Sequence, residues 1–583
     1  MARHPAIQQN GATRASGSGP KPLPTTAASR YDPLMILRTL LLSVAALALA
    51  GAASAQQADL ILFGGPIHTA DPDRPTAEAV AVEDGVILYV GDRAGAEALA
   101  DADTRRIDLR GAAMFPGFTD GHAHLIGIGQ REMTLNLEGS ASVAEAMQRL
   151  AAWAEANPEG PIFGRGWIET HWPEGRFLNR QDLDAAAPGR VVVLVRADGH
   201  ALAASTAALQ AAGITSASTA PDGGEIQREA DGAPSGVLID AAMPMVEALR
   251  PADTPEARRQ ALRTGVDVYA SQGWTGIHNM SVAWGDVAIM EAMDAAGDME
   301  IKVYNAVDLA EAEPLLDGGP RATDDGRVIT RSIKVYADGA LGSRGAALFE
   351  PYADAPHTSG LMQTTAEAVL PAYRRALEAG VQIATHAIGD RGNDEVLDWY
   401  EAAGVTPDAR WRVEHAQIVR PSDLHRFEDD GVIASLQPSH AIGDLHFAPA
   451  RLGDARLDGA YAWRTLIEDG AVVVGGSDAP VERGSPLIEF YAAVARRDLQ
   501  GFQGPDWRPQ EAVSRQQALS MFTTAPAYAS FREDELGMIR EGFRADFTVF
   551  DVDLMTAPVE EIPNGRALLT IVDGQESYRA EGW

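Results

Sequence analysis

The sequence predicts an α/β fold: a (β/α)8 TIM barrel, with a small β-sandwich made from both chain ends and an inserted subdomain after the first barrel strand. Three observations predict it. The middle of the chain alternates apolar β-rich runs with Ala-rich amphipathic stretches such as "TTAEAVLPAYRRALEAG". The two ends share a different texture of short strands. The gap between the first two barrel strands is too long for a simple connection.

The elements follow in chain order. Residues 1–55 read as leader and signal peptide. In "MILRTLLLSVAALALAGAASAQQ", Arg38 precedes an apolar run from Thr39 to Ala50 and then Ala53-Ser54-Ala55, a small-x-small cleavage pattern. Cleavage is expected after Ala55, which implies a periplasmic or secreted protein with no stable membrane insertion afterwards. The alternative is an anchor left uncut, and Met35 competes with Met1 as initiator. Residues 56–112 give the first half of the sandwich, in "ADLILFGGPIHTADPDRPTAEAVAVEDGVILYVGD" with turns at Gly64-Gly65 and Asp84-Gly85. Residues 113–530 give the barrel, its strands expected to end near Phe118, His278, Ala306, Tyr336, His386, His415, Gln437 and Ser477. Residues of about 140–260 hold the insertion, with strand-like "GRVVVLVRADGH" and "DGAPSGVLID". Residues 531–583 return to short strands in "GMIREGFRADFTVFDVD" and "LLTIVDGQESYRA", completing the sandwich because chain ends often lie close together.

Composition narrows the chemistry. The 583 residues are 46% hydrophobic, enough for a large core. There is no cysteine, so disulfides, thiolate nucleophiles and cysteine metal sites are excluded. Net charge is −34, which disfavours a nucleic-acid partner. Oligomeric state stays open, a homo-oligomer included.

The histidines gather at strand ends. "FPGFTDGHAHLIG" sets His122 and His124 on one face of an extended segment. "IATHAIGD" places His386, "RVEHAQI" His415 and "VVVGGSDAP" Asp478 after later strands, and "SIKVYADG" holds Lys334 inside an apolar one. Barrel chemistry sits at the C-terminal ends of the strands, so these residues should meet at one mouth. Four imidazoles and a carboxylate suit Zn²⁺ or a similar divalent ion. A neutral lysine amine can take up CO₂, and the resulting carbamate has two oxygens able to bridge two metals. Taken singly, a strand-end histidine is a core residue, Asp478 a helix cap and Lys334 a snorkelling side chain. The ordered set of six argues for the site.

That set, with "FPGFTDGHAHL", "IKVYADGALGSRGAAL", "THAIGD", "RVEHAQI", "SLQPSHA", "GAYAWRTLIEDGAVVVGGSDAPVE" and "EGFRADFTVFD", resembles the amidohydrolase superfamily, in its YtcJ-like branch (amidohydrolase family 3, N-substituted formamide deformylase-like). The resemblance runs from about Ala58 to the chain end. It implies that His122, His124 and Asp478 hold the more buried metal, His386 and His415 the second, and carboxylated Lys334 bridges them. It further implies a hydroxide nucleophile between the metals and Asp478 as the catalytic proton shuttle.

Candidate substrate contacts follow from the same motifs. His200 in "RADGHALAAS" reaches the pocket or makes a subdomain hydrogen bond. Ser343 and Arg344 bind a substrate carboxylate or order their loop. His440 in "QPSH" is read as a substrate contact. Asp390 is expected to brace its loop, and His171 and Trp172 to pack structurally. His68, His278, His357, His425 and His446 are left as structural or surface residues.

The expected activity is hydrolysis of a non-peptide amide C–N bond in a small molecule. Within the same chemistry stand an N-acyl amino acid or dipeptide-type substrate, its carboxylate held by Arg344, and an ester or lactone. Ring deamination is disfavoured, because deaminases of the superfamily typically lack the bridging lysine. Outside the class stands a periplasmic metal- or solute-binding protein, which would have no need of Asp478 as a base.

Overall fold

A computed structural model describes residues 57–583, apart from 170, 171, 198–200, 222, 223, 241, 252 and 506. The leader, the cleavage site after Ala55, His171 and His200 therefore lie outside the described residues.

Eight parallel strands make the barrel sheet: Phe118–Ala123, Trp274–Val282, Lys302–Asp308, Val328–Tyr336, Gln382–Ala387, Arg412–His415, Ile433–Leu436 and Val473–Gly475. Each pairs with the next in parallel register. They are largely buried, as strands covered on both faces must be, and the polar residues they carry are the ones that build the site. The first and last strands are joined just beyond their ends, where Asp478 N donates to His122 O at 2.6 Å and His124 N to Ala479 O at 2.8 Å. Two expected strand ends shift. Phe118 begins the first strand rather than ending it, because the apolar run before it, Ala113–Pro116, pairs with Phe547–Phe550 of the C-terminal segment. The second strand runs past His278 to Val282.

The Ala-rich stretches are helices. Ala366–Ala379 buries Val369, Tyr373 and Ala376 and stops at Gly380, whose φ of 68° is the left-handed conformation that favours glycine. Helix Leu125–Glu132, after the first strand, lies so close to Pro255–Gln272 that a Cβ on Gly129 would fall 1.7 Å from Ala261 O. Only glycine permits that approach.

Both chain ends build one eight-stranded mixed sheet, and alternate residues Leu60, Leu62, Val80, Val82, Phe547, Val549 and Ile571 share its core. Lys302, on the third barrel strand, donates to Asp546 at 2.7 Å and Asp573 at 2.8 Å, tying this sheet to the barrel. A third sheet, of six strands from Leu135–Asn136 to Pro234–Asp240, fills the gap between the first and second barrel strands. Among the described residues no helix is long and apolar enough to cross a membrane.

Candidate metal centre

The first barrel strand delivers His122, fully buried, and the turn after it delivers His124. Asp478 follows the eighth strand in the left-handed conformation, at φ 57°, and His415 ends the sixth at φ 75°. Backbone strain of this kind in residues with a Cβ gathers where function over-determines geometry.

Three imidazoles are oriented by their neighbours. Glu414 Oε2 lies 2.5 Å from His122 Nδ1, Met280 O lies 3.0 Å from His124 Nδ1, and Gln437 Oε1 lies 2.7 Å from His415 Nδ1. Each acceptor holds the proton on Nδ1 and leaves the Nε2 lone pair free, which is how a ligating histidine is prepared. His386 is turned the other way: its Nε2 lies 3.5 Å from Gly339 O and 3.5 Å from Asp338 Oδ1, which leaves Nδ1 free.

Electrostatics agree with a cation site. Burial, with the Lys334 charge second, lowers His122 to about 4 and His386 to about 3. Burial also holds His415 well below its usual value. All three are therefore neutral at neutral pH, the form that binds metal. Burial brings Lys334 down to about 8, and its Nζ lies 3.3 Å from His122 Nε2. For Asp478, burial opposes ionisation, but the His124 imidazole 3.0 Å from its Oδ1, with His122 and His415 beside it, outweighs that and keeps the carboxyl well below its usual range.

Two groups could hold a divalent ion. His122, His124 and Asp478 offer atoms within 4.8 Å of one another, and so do His415, His440 and Asp478. Asp478 is the shared vertex: its Oδ1 lies 3.0 Å from His124 Nε2 and its Oδ2 3.6 Å from His440 Nε2. The donor set, with lone pairs pre-aimed and a carboxylate kept ionised, fits a divalent cation.

The first triad contains the residues expected for the more buried metal. The second differs from expectation. His415 is grouped with His440 rather than with His386, although His386 stands beside it at a ring separation of 4.5 Å. Helix Pro438–Asp444 starts directly after the seventh strand and carries His440 over the site. Arg344 does not await a carboxylate: its guanidinium forks onto Asp354 at 3.1 and 2.8 Å. Ser343 is exposed and donates to Ala340 O at 3.3 Å, ordering the turn. Asp390 accepts from Phe349 N at 3.0 Å, bracing the loop. Trp172 is packed in the insertion's core.

Four supporting residues escaped the sequence reading. Arg412 grips Glu414 at 2.7 Å and lies 2.6 Å from His278 Nδ1 inside the barrel. Asp120 accepts from Ser477 N and Oγ, His122 N and Tyr269, pinning first strand to eighth. Asp338 accepts from Ala347, Ile388 and Gly389 N–H and shapes the loop against His386. For Arg412, Glu414 and Asp120 the one signal was charge within barrel strands, in "RVEH" and "FTDGH".

A parallel barrel with histidine and carboxylate donors at the C-terminal mouth defines a metal-dependent hydrolase class. The amidohydrolase family model matches residues 105–578, and the chain belongs to that family. The YtcJ protein of Bacillus subtilis is 34% identical over 530 residues, covering 89% of this chain and 99% of its own. N-substituted formamide deformylase of Arthrobacter pascens is 28% identical over 553 residues, covering 90% and 99%. Among solved structures, an uncharacterised metal-dependent hydrolase of Pyrococcus horikoshii superposes with a TM-score of 0.71 at 25% identity, covering 86% of this chain and 99% of that one.

Proposed function

We propose that the protein is an exported hydrolase that cleaves a non-peptide amide C–N bond in a small molecule, with two divalent ions, Zn²⁺ foremost, at this centre. The observation that carries the reading is Asp478 at the vertex of both ligand groups, 3.0 Å from His124 Nε2 and ionised. Divalent ions held there would supply a water of lowered pKa, near ~7, and a polarised carbonyl.

The chain's own residues do the rest. His122, His124, His386, His415 and Asp478 present the donors that would hold the ions, and Lys334, once carboxylated, would add an anionic ligand between them. Asp478 accepts a proton from the attacking water and returns it to the leaving nitrogen as the C–N bond breaks, giving a carboxylic acid and an amine. Glu414, gripped by Arg412, keeps His122 in the ligating tautomer.

The similarity to a formamide deformylase supports an amide over an ester, though the same attack serves both carbonyls. The N-acyl amino acid reading loses its expected anchor, because Arg344 is engaged by Asp354. The test is hydrolysis of a panel of amides, esters and lactones by protein loaded with Zn²⁺, and again after chelation. Turnover of amides that chelation abolishes supports the reading. Metal or solute binding with no turnover of any member would replace it with a binding protein. Export rests on the Arg38-to-Ala55 pattern, and N-terminal sequencing of native protein should begin near Gln56.

A further inference from the structure

The second barrel strand, Trp274–Val282, holds His278 inside the barrel, where it is buried. Sequence alone leaves it among the structural residues. Its Nδ1 lies 2.6 Å from Nη1 of Arg412. A guanidinium has only donors, so Nδ1 must accept, and the imidazole must be neutral with its proton on Nε2. The Pro526 carbonyl is the backbone acceptor beside it.

Arg412 is wholly buried, so every one of its N–H groups depends on a protein partner. Nε donates to Glu414 Oε1 at 2.7 Å. Nη2 donates to Gly121 O at 2.7 Å, to Ser435 Oγ at 2.8 Å and to Glu414 Oε2 at 3.1 Å. Among the described residues, His278 is the one partner of Nη1. Arg412 thus reaches His122 twice, through Glu414 on its ring and through the carbonyl of the residue before it. Each link runs in one direction. His122 donates to Glu414, and Arg412 donates to both Glu414 and His278. Without the His278 acceptor, Nη1 would be a buried donor with no partner, costly enough to turn the fork away from Glu414.

We propose that His278 is a positioning residue of the metal centre: it fixes the guanidinium fork of Arg412, which holds Glu414, which keeps His122 Nε2 open to the ion. The inference rests on the metal-hydrolase reading above. It places a determinant of metal affinity on the second barrel strand, one arginine and one glutamate away from the ligand it serves. Partners behind a ligating histidine set its tautomer and its orientation, and so its affinity for the ion.

The experiment titrates Zn²⁺ into the full metal-free chain against a competing chelator, and records the melting temperature of the same metal-free protein. His278→Leu removes the acceptor and should weaken Zn²⁺ binding about ten-fold, the lower end of what the partners of ligating histidines contribute. His278→Asn returns an amide oxygen to the place of Nδ1 and should restore affinity to within about three-fold of native. In a Glu414→Gln background the route is already cut, so His278→Leu should change affinity by less than about two-fold. A purely structural His278 predicts a lower melting temperature with unchanged Zn²⁺ affinity, and that result overturns the inference. So does an equal loss in both backgrounds, or an Asn variant no better than Leu. If the Leu chain does not fold, His278→Met, which fills the space flexibly with only a weak acceptor, replaces it in each comparison. Zn²⁺ binding that follows this pattern without turnover of any amide overturns the hydrolase reading and keeps the inference. Amide turnover with Zn²⁺ affinity indifferent to His278 does the reverse.

Discussion

His122 Nδ1 and Glu414 Oε2 lie 2.5 Å apart, and both side chains are wholly buried. The contact spans 292 residues of sequence and joins the first barrel strand to the sixth. Burial alone would drive Glu414 toward its neutral form. The Arg412 charge and the hydrogen bond from His122 reverse that and hold it well below the usual carboxylate range. An ionised acid can only accept, so His122 must donate from Nδ1 and present Nε2 to the centre.

Glu414→Gln therefore tests the positioning directly. An amide can offer either atom to the imidazole, so the tautomer is no longer fixed. Metal affinity by competitive titration should fall about 10–100-fold. Arg412 would lose its ionic partner inside the barrel, and breaking such a pair costs about 3–5 kcal/mol, read as a lower melting temperature in the metal-free protein. Unchanged metal affinity would show that the contact serves packing alone.

Lys334 gives a pH prediction. Its folded pKa is about 8, below the ordinary 10.5, because burial penalises the charge. At pH 7 about a tenth of the metal-free protein then carries the neutral amine, against less than about one part in a thousand for an ordinary lysine. Carbamate formation needs that amine, so ¹³C-bicarbonate should give a carbamate signal that grows as pH rises toward 8 and vanishes in Lys334→Ala. The linkage has the same sign. Between about 8 and 10.5 the unfolded chain binds the proton and the folded one does not, so this group adds stability as pH rises through that window. A carbamate signal that appears only near pH 10 would contradict the burial argument.

Asp478→Asn keeps the shape and one oxygen but removes the base. Turnover should fall by ~10²–10⁴, with a much smaller change in bound metal. A helix-capping role predicts instead about 1 kcal/mol of lost stability and near-native turnover in the folded fraction. Measuring kcat, metal content and melting temperature together separates the two.

Arg344→Ala should leave KM unchanged for substrates that carry a carboxylate, since its guanidinium is already forked onto Asp354. Arg451 also holds Asp354, so the loop keeps a partner. A large rise in KM confined to acidic substrates would mean that Arg344 leaves Asp354 when substrate binds.

The sequence alone carried the barrel and the ligand types. A parallel strand covered on both faces must be continuously apolar, so His122, Lys334, His386, His415 and Asp478 stood out as polar residues at or within strands, and strand order placed them at one mouth. The extent of the insertion and the edge of the first barrel strand were less legible. Ala113–Pro116 is as apolar as a barrel strand, and only its pairing with Phe547–Phe550 assigns it to the other sheet. Tertiary structure alone decided which side chains meet. Nothing local tells that Glu414 faces His122, that Arg344 is taken by Asp354, or that His440 stands with His415 and Asp478. The physical reason is that strand periodicity fixes the face on which a side chain lies. Its partner across the barrel depends on strand stagger and on where the following helix begins, and both are set by packing between segments hundreds of residues apart.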